Sequence, residues 1–213
     1  MIARTGGVYA LLCGAYLLFF GYNDSITGAC VKTLPALLLA LASARLLRGA
    51  WRAHYVVALL CSALGDLLLG LNGVYGGLFT AGLASFLLAQ LAYAGVFWRH
   101  RGAARWRRAL AAAALVPLAL FAWRVLPATG ELAPPVAAYM LAIGAMLGGA
   151  ALADRPLLLF AGAALFVISD ATIAWNRFLV PLPHAGLLIM TTYYAAQWLL
   201  WHGAPGTPRS DRR

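Results

Sequence analysis

Polar residues are confined to a few short stations along this chain, and between them lie apolar stretches of the length a bilayer crossing requires. A helix that spans the hydrocarbon core needs about 20 apolar residues. Eight such runs occur, at roughly 6–22, 29–47, 53–71, 76–98, 109–126, 134–153, 156–175 and 185–202. They are bounded by Asn23-Asp24, Arg48 to Arg52, Asn72-Gly73, Arg99 to Arg108, Gly130-Glu131, Asp154-Arg155 and Pro181 to Pro183. The spacing predicts an all-α membrane protein: one transmembrane domain of eight helices over 1–205, followed by a basic cytoplasmic tail at 206–213. The first run follows Arg4 and resembles a secretory signal in position. It lacks a small-x-small cleavage site followed by a soluble region, so it is read as a helix.

Composition supports this reading. The chain has 213 residues, of which 63% are hydrophobic and 10% charged, and its mean hydropathy is +0.82. A soluble domain needs charge on about a quarter to a third of its surface, which six acidic and sixteen basic residues cannot supply. A net charge of +10 suggests nucleic acid in a soluble protein. Here the arginines separate apolar runs, where membrane orientation accounts for them, and no nucleic-acid partner is expected.

Lys and Arg near helix ends are retained in the cytoplasm. With eight crossings, Arg4, Arg45, Arg48, Arg52, Arg99, Arg101, Arg105, Arg107, Arg108, Arg155, Arg209, Arg212 and Arg213 share one side, leaving Lys32, Arg124 and Arg177 on the other. Both termini are therefore expected inside, and a seven-helix count would spoil the sorting. Trp51, Trp98, Trp106 and Trp201 then fall near the inner face, and Tyr22, Tyr75, Trp123 and Trp175 near the outer one. Cys13, Cys30 and Cys61 show no paired spacing and suggest neither a disulfide nor a zinc site.

Ionisable groups within membrane helices are expensive and mark function by default. Asp66, in LCSALGDLLLG, lies fourteen residues beyond Arg52, and Asp170, in LFVISDATIAW, fourteen beyond Pro156. Both helices run outward, so at ~1.5 Å per residue each carboxyl is about 20 Å from the inner boundary and about 10 Å below the outer one. Ser62 and Gly70 share the face of Asp66, while Ser169 and Thr172 flank Asp170. One such aspartate is readily explained as a hydrogen-bonding contact between helices. Two at one depth point to chemistry. Lys32, the sole lysine, opens the second run from the outer face. It either snorkels to the interface or pairs with a carboxylate or a lipid phosphate.

The second half weakly echoes the first. The run with Asp66 precedes one carrying Gln90 and Tyr93, and the run with Asp170 precedes one carrying Tyr193 and Gln197. Each Tyr/Gln pair shares a helical face, which suggests a parallel four-plus-four repeat. Asn176 and His184 lie at the outer end of the seventh run, where a turn is the plainer explanation.

GDLLLG with FLLAQLAY, then FVISDATIAWNRF and TTYYAAQWLL near the end of the chain, resemble the YhhN family of eight-helix lysoplasmalogenases and their bacterial relatives. The similarity runs from Lys32 to about Leu200 and rests on the order and spacing of these segments. The resemblance implies that the family's two essential aspartates fall on Asp66 and Asp170. It places the family's lysine on Lys32 and its helix-end polar positions on Asn176, Tyr193 and Gln197, with Gln90 and Tyr93 beside them as substrate-binding candidates. One departure is Gln90, where the family often has His; it bears on substrate or rate rather than reaction class. The implied location is a bacterial inner membrane, the implied partners are a lysophospholipid substrate and membrane lipids, and no cofactor or metal is expected.

The implied reaction is hydrolysis of the vinyl ether of a lysoplasmalogen to a fatty aldehyde and a glycerophospho-headgroup. Protonation of the outer vinyl carbon makes an oxocarbenium ion, which water captures. This requires a proton donor and a nearby negative charge, and two close carboxyls sharing a proton can supply both, as glycosidases do for a related cation. Two rival classes stay open. An intramembrane aspartyl protease also uses two membrane aspartates, but Ala63 stands at the first glycine of the GxGD motif that Gly65-Asp66 half matches, and Pro35-Ala36-Leu37 precedes both aspartates instead of following them. A proton-coupled transporter would use carboxyls as a relay, yet the third and seventh runs lack midplane Gly/Pro breaks. A zinc hydrolase would need several intramembrane ligands, and His54, His100, His184 and His202 all lie near run ends.

Overall fold

The computed structural model describes residues 2–20 and 24–205. Tyr22, Asn23 and the expected tail at 206–213 lie outside the described residues. Among those described, the chain is all-α, with helices α1 (Ile2–Phe19), α2 (Ile26–Leu46), α3 (Gly49–Tyr75), α4 (Phe79–Arg99), α5 (Arg105–Val125), α6 (Ala133–Leu152), α7 (Leu157–Phe178) and α8 (Ala185–Gly203). Two short 3-10 turns, Leu126–Ala128 and Gly130–Leu132, join α5 to α6.

Six of these helices, α2 to α7, are long and apolar enough to cross a membrane, against the eight crossings expected from the runs. The shortfall at α8 has a physical cause. Its Tyr193, Tyr194 and Gln197 are buried, so its polar atoms face the interior of the bundle rather than lipid. Tyr55 of α3 donates to the Leu200 carbonyl at 2.8 Å, and Tyr9 of α1 to that of Tyr194 at 2.7 Å, tying α8 to α3 and α1.

Helix limits differ from the sequence expectation by up to four residues, including at the starts of α1, α3 and α5 and at the ends of α3 and α7. α3 continues through Asn72-Gly73 and stops only at Gly76 and Gly77, whose φ of 72° and 74° suits residues without a Cβ. Asn72 does not end the helix; its Oδ1 accepts from the Leu78 N–H at 2.9 Å. Asn176 does the same in α7, accepting from the Leu182 N–H at 2.8 Å. Both asparagines lie six residues beyond their aspartate, so the two hairpins are pinned by one device.

The α3–α4 and α7–α8 hairpins share this Asn device, but the helices flanking them pack differently. α2 packs closely along α3, whereas α6 lies mainly on α4 and touches α7 less. Gly149 permits this: a Cβ there would come within 2.8 Å of the Trp98 ring. At the end of the bundle where α4 and α6 finish, Gly102 N–H donates to the Leu152 carbonyl and Asp154 N–H to that of His100, joining two loops. Arg107, counted above for topology alone, is buried and donates to the Arg155 and Ala151 carbonyls at 2.8 and 3.3 Å. It clamps the α5 start to the α6–α7 loop.

Candidate active site

Asp66 lies nine residues before the end of α3 and Asp170 eight before the end of α7, so helix geometry places both carboxyls at closely similar distances from the C-terminal ends of their helices. Each receives a tyrosine. Tyr193 of α8 donates to Asp66 Oδ2 at 2.7 Å, and Tyr139 of α6 donates to Asp170 Oδ2.

Each tyrosine is in turn addressed by a glutamine. Gln197 Nε2 donates to the Tyr193 hydroxyl at 3.2 Å, and Gln197 Oε1 accepts from Tyr93 at 2.8 Å. Gln90 Nε2 approaches the Tyr139 hydroxyl at 3.4 Å, leaving Gln90 Oε1 a buried acceptor without a described partner. Two chains result: Tyr93–Gln197–Tyr193–Asp66 and Gln90–Tyr139–Asp170. A phenol that accepts from an amide and donates to a carboxylate is held in one orientation, because its single proton has one outlet.

Lys32 completes the first chain, its Nζ 3.8 Å from Asp66 Oδ1. Asp66 is 1% exposed, and a buried carboxylate with a cation and a hydroxyl donor is partnered as such a charge must be. Asp170 has no cation within ion-pair distance among the described residues. Of the residues singled out from the sequence, Lys32, Asp66, Gln90, Tyr93, Asp170, Tyr193 and Gln197 thus enter one chain or the other. Asn176 enters neither, its side chain being engaged by the α7–α8 loop. Tyr139 was not singled out, since a tyrosine in the outer part of an apolar run reads as an interfacial aromatic and nothing local links it to a carboxyl thirty-one residues on.

The two aspartates have different surroundings. Asp170 and Tyr139 line a cavity between α3, α4, α5, α6 and α7, partly open to its surroundings, whose other walls are apolar, among them Phe79, Phe86, Phe121 and Phe178. Asp66 is not part of that lining. Phe86 stands at the wall, its ring 5.8 Å from that of Tyr193 and 6.2 Å from that of Phe166, both edge-on. Gly65 makes room for it, since a Cβ there would meet the Phe86 ring at 2.5 Å. One carboxyl therefore faces a lipid-compatible space, and the other is enclosed behind it with Lys32.

Known proteins share this sequence at length. Lysoplasmalogenase TMEM86B of Sus scrofa is 36% identical over 206 residues, 92% of this chain and 84% of its own. TMEM86B of Homo sapiens is 34% identical over 219 residues, 97% and 89% of the two chains. A lysoplasmalogenase of Mycobacterium tuberculosis is 36% identical over 179 residues, 81% and 68% of the two. No solved structure gives a significant match. Residues 27–204 match the YhhN family, a span that holds both aspartates, both glutamine–tyrosine chains and Lys32, and the chain belongs to that family.

Proposed function

We propose that this protein is an integral-membrane lysoplasmalogenase that cleaves the vinyl ether of an alkenyl lysophospholipid by acid/base chemistry at Asp66 and Asp170. The observation that carries the reading is a carboxyl, Asp170, oriented by Tyr139 in the wall of an otherwise apolar cavity, the kind of mostly apolar site with a few fixed polar groups that small molecules occupy. The names of the relatives agree with it.

In this scheme the alkenyl chain occupies the cavity and Asp170, in its acid form, protonates the outer vinyl carbon. The ether carbon becomes an oxocarbenium centre, stabilised by the negative charge left on Asp170. Water adds to that carbon and gives up a proton to Asp170. The resulting hemiacetal collapses to aldehyde and glycerol hydroxyl, so the acid is regenerated and one water is consumed. Gln90, through its amide N–H on the Tyr139 hydroxyl, helps to hold that tyrosine on Asp170. Asp66, held by Lys32 and Tyr193, supplies a second negative field behind the site. Tyr93 and Gln197 keep Tyr193 in place, and Asn176 acts through the loop it holds.

The same proposal takes all eight helices as membrane crossings, with both termini cytoplasmic, in the inner membrane of a bacterium. The deciding experiment is aldehyde release by the purified protein from an alkenyl lysophospholipid, run beside a peptide substrate and proton flux into liposomes. Aldehyde stoichiometric with glycerophospho-headgroup is expected. Peptide cleavage or proton flux without aldehyde would transfer the aspartates to a protease or a transporter.

A further inference from the structure

We infer that Arg177 binds the phosphate of the substrate headgroup at the outer mouth of the cavity. The inference rests on the lysophospholipid reading above. Arg177 lies seven residues beyond Asp170 on α7, nearly two helical turns, so the two share a face with their Cα atoms about 10 Å apart along the axis. Ala174 and Phe178, on the same stripe, line the cavity.

The Arg177 guanidinium lies over the Phe79 ring, 3.8 Å from its centroid, and 5.7 Å from that of Phe178. Both rings belong to the cavity wall. A cation stacked on an aromatic face is positioned without being neutralised, and among the described residues Arg177 has no carboxylate partner. It is exposed, so its guanidinium donors are accessible to a ligand.

The dimensions of the substrate agree. Seven bonds separate the protonated vinyl carbon from phosphorus, about 8 Å at the ~1.2 Å per bond of an extended chain. A lipid with its vinyl carbon at Asp170 then presents its phosphate to Arg177, where a guanidinium fork suits phosphate oxygens. Lys32 is less available for this task, since its ammonium is directed to Asp66.

The test compares wild type, Arg177→Met and Arg177→Lys on an alkenyl lysophosphoethanolamine and on the alkenylglycerol lacking the phosphate. Binding of the uncleavable alkyl-ether analogues of both is followed by tryptophan fluorescence. For Arg177→Met, KM on the phospholipid is expected to rise about tenfold or more with kcat within roughly twofold, because the contact is the same in ground and transition states. Kinetics on the alkenylglycerol should not change, Arg177→Lys should recover part of the loss, and the alkyl lysophospholipid should bind correspondingly weakly. Unchanged KM, or equal losses on both substrates, would overturn the assignment. If wild type releases no aldehyde, the hydrolase reading fails. The binding arm still decides Arg177: weakened binding of the phosphorylated analogue alone supports it, and equal binding by wild type and variant overturns it.

Discussion

At the scale of single residues, the two carboxyls differ in what surrounds them although each lies deep in an apolar run. Asp→Asn keeps the shape and one acceptor oxygen but cannot exchange a proton. Asp66→Asn and Asp170→Asn are each expected to insert and melt near wild type yet lose activity by about 10² or more. The double variant should be scarcely worse than either single one, as for residues acting as a unit; near-wild-type aldehyde release from either folded variant would remove the mechanism. Tyr139→Phe keeps the ring against the cavity and removes the hydrogen bond to Asp170. A fall of about tenfold in kcat with KM little changed is expected, the scale of about one hydrogen bond to a charged group. Lys32→Met separates two roles. Because Lys32 faces Asp66, the pH–rate profile should move while KM stays; a raised KM on a fixed profile would assign the lysine to lipid phosphate instead.

At the scale of elements, close helix approach and hairpin pinning place these side chains. In membranes small residues let helix backbones meet, and Gly162 of α7 is such a place: a Cβ there would lie 2.7 Å from the Leu200 nitrogen and 3.0 Å from the Ala196 carbonyl oxygen. Backbone cannot move aside as a side-chain tip can, so Gly162→Ala should destabilise by about 1–3 kcal/mol, read as a lower melting temperature in detergent. It should also reduce activity, because α8 carries Tyr193 and Gln197. Asn72→Ala and Asn176→Ala should each lose about 1 kcal/mol with KM unchanged, since each side chain holds a loop. A selective KM increase for Asn176→Ala would restore it to the substrate site. The helices themselves were legible from the apolar runs, but their limits were not. Asn-Gly at 72–73 carries the composition of a turn, while the hydrogen bond from Leu78 lets the helix run on past it.

For the whole molecule, orientation is the property that sequence alone addresses most directly. A reporter fused after Arg213 should read cytoplasmic and one inserted near Gly76 external, because thirteen of sixteen basic residues fall on one side of an eight-crossing chain. Termini on opposite faces would break both the eight-crossing reading and the depth argument. The all-α class, the apolar runs and the oddity of Asp66 and Asp170 follow from the chain read by itself, because lipid penalises unpaired backbone and charge wherever they occur. Tertiary structure decided which groups meet. Tyr139 reaches Asp170 across thirty-one residues and Tyr193 reaches Asp66 across one hundred and twenty-seven. Packing alone put Asp170 on the cavity and left Asp66 outside its lining, bonded to a Tyr193 whose ring meets Phe86 edge-on. A helix displays its own face every 3.6 residues, but which neighbour that face meets depends on interhelical packing, and no local periodicity records it.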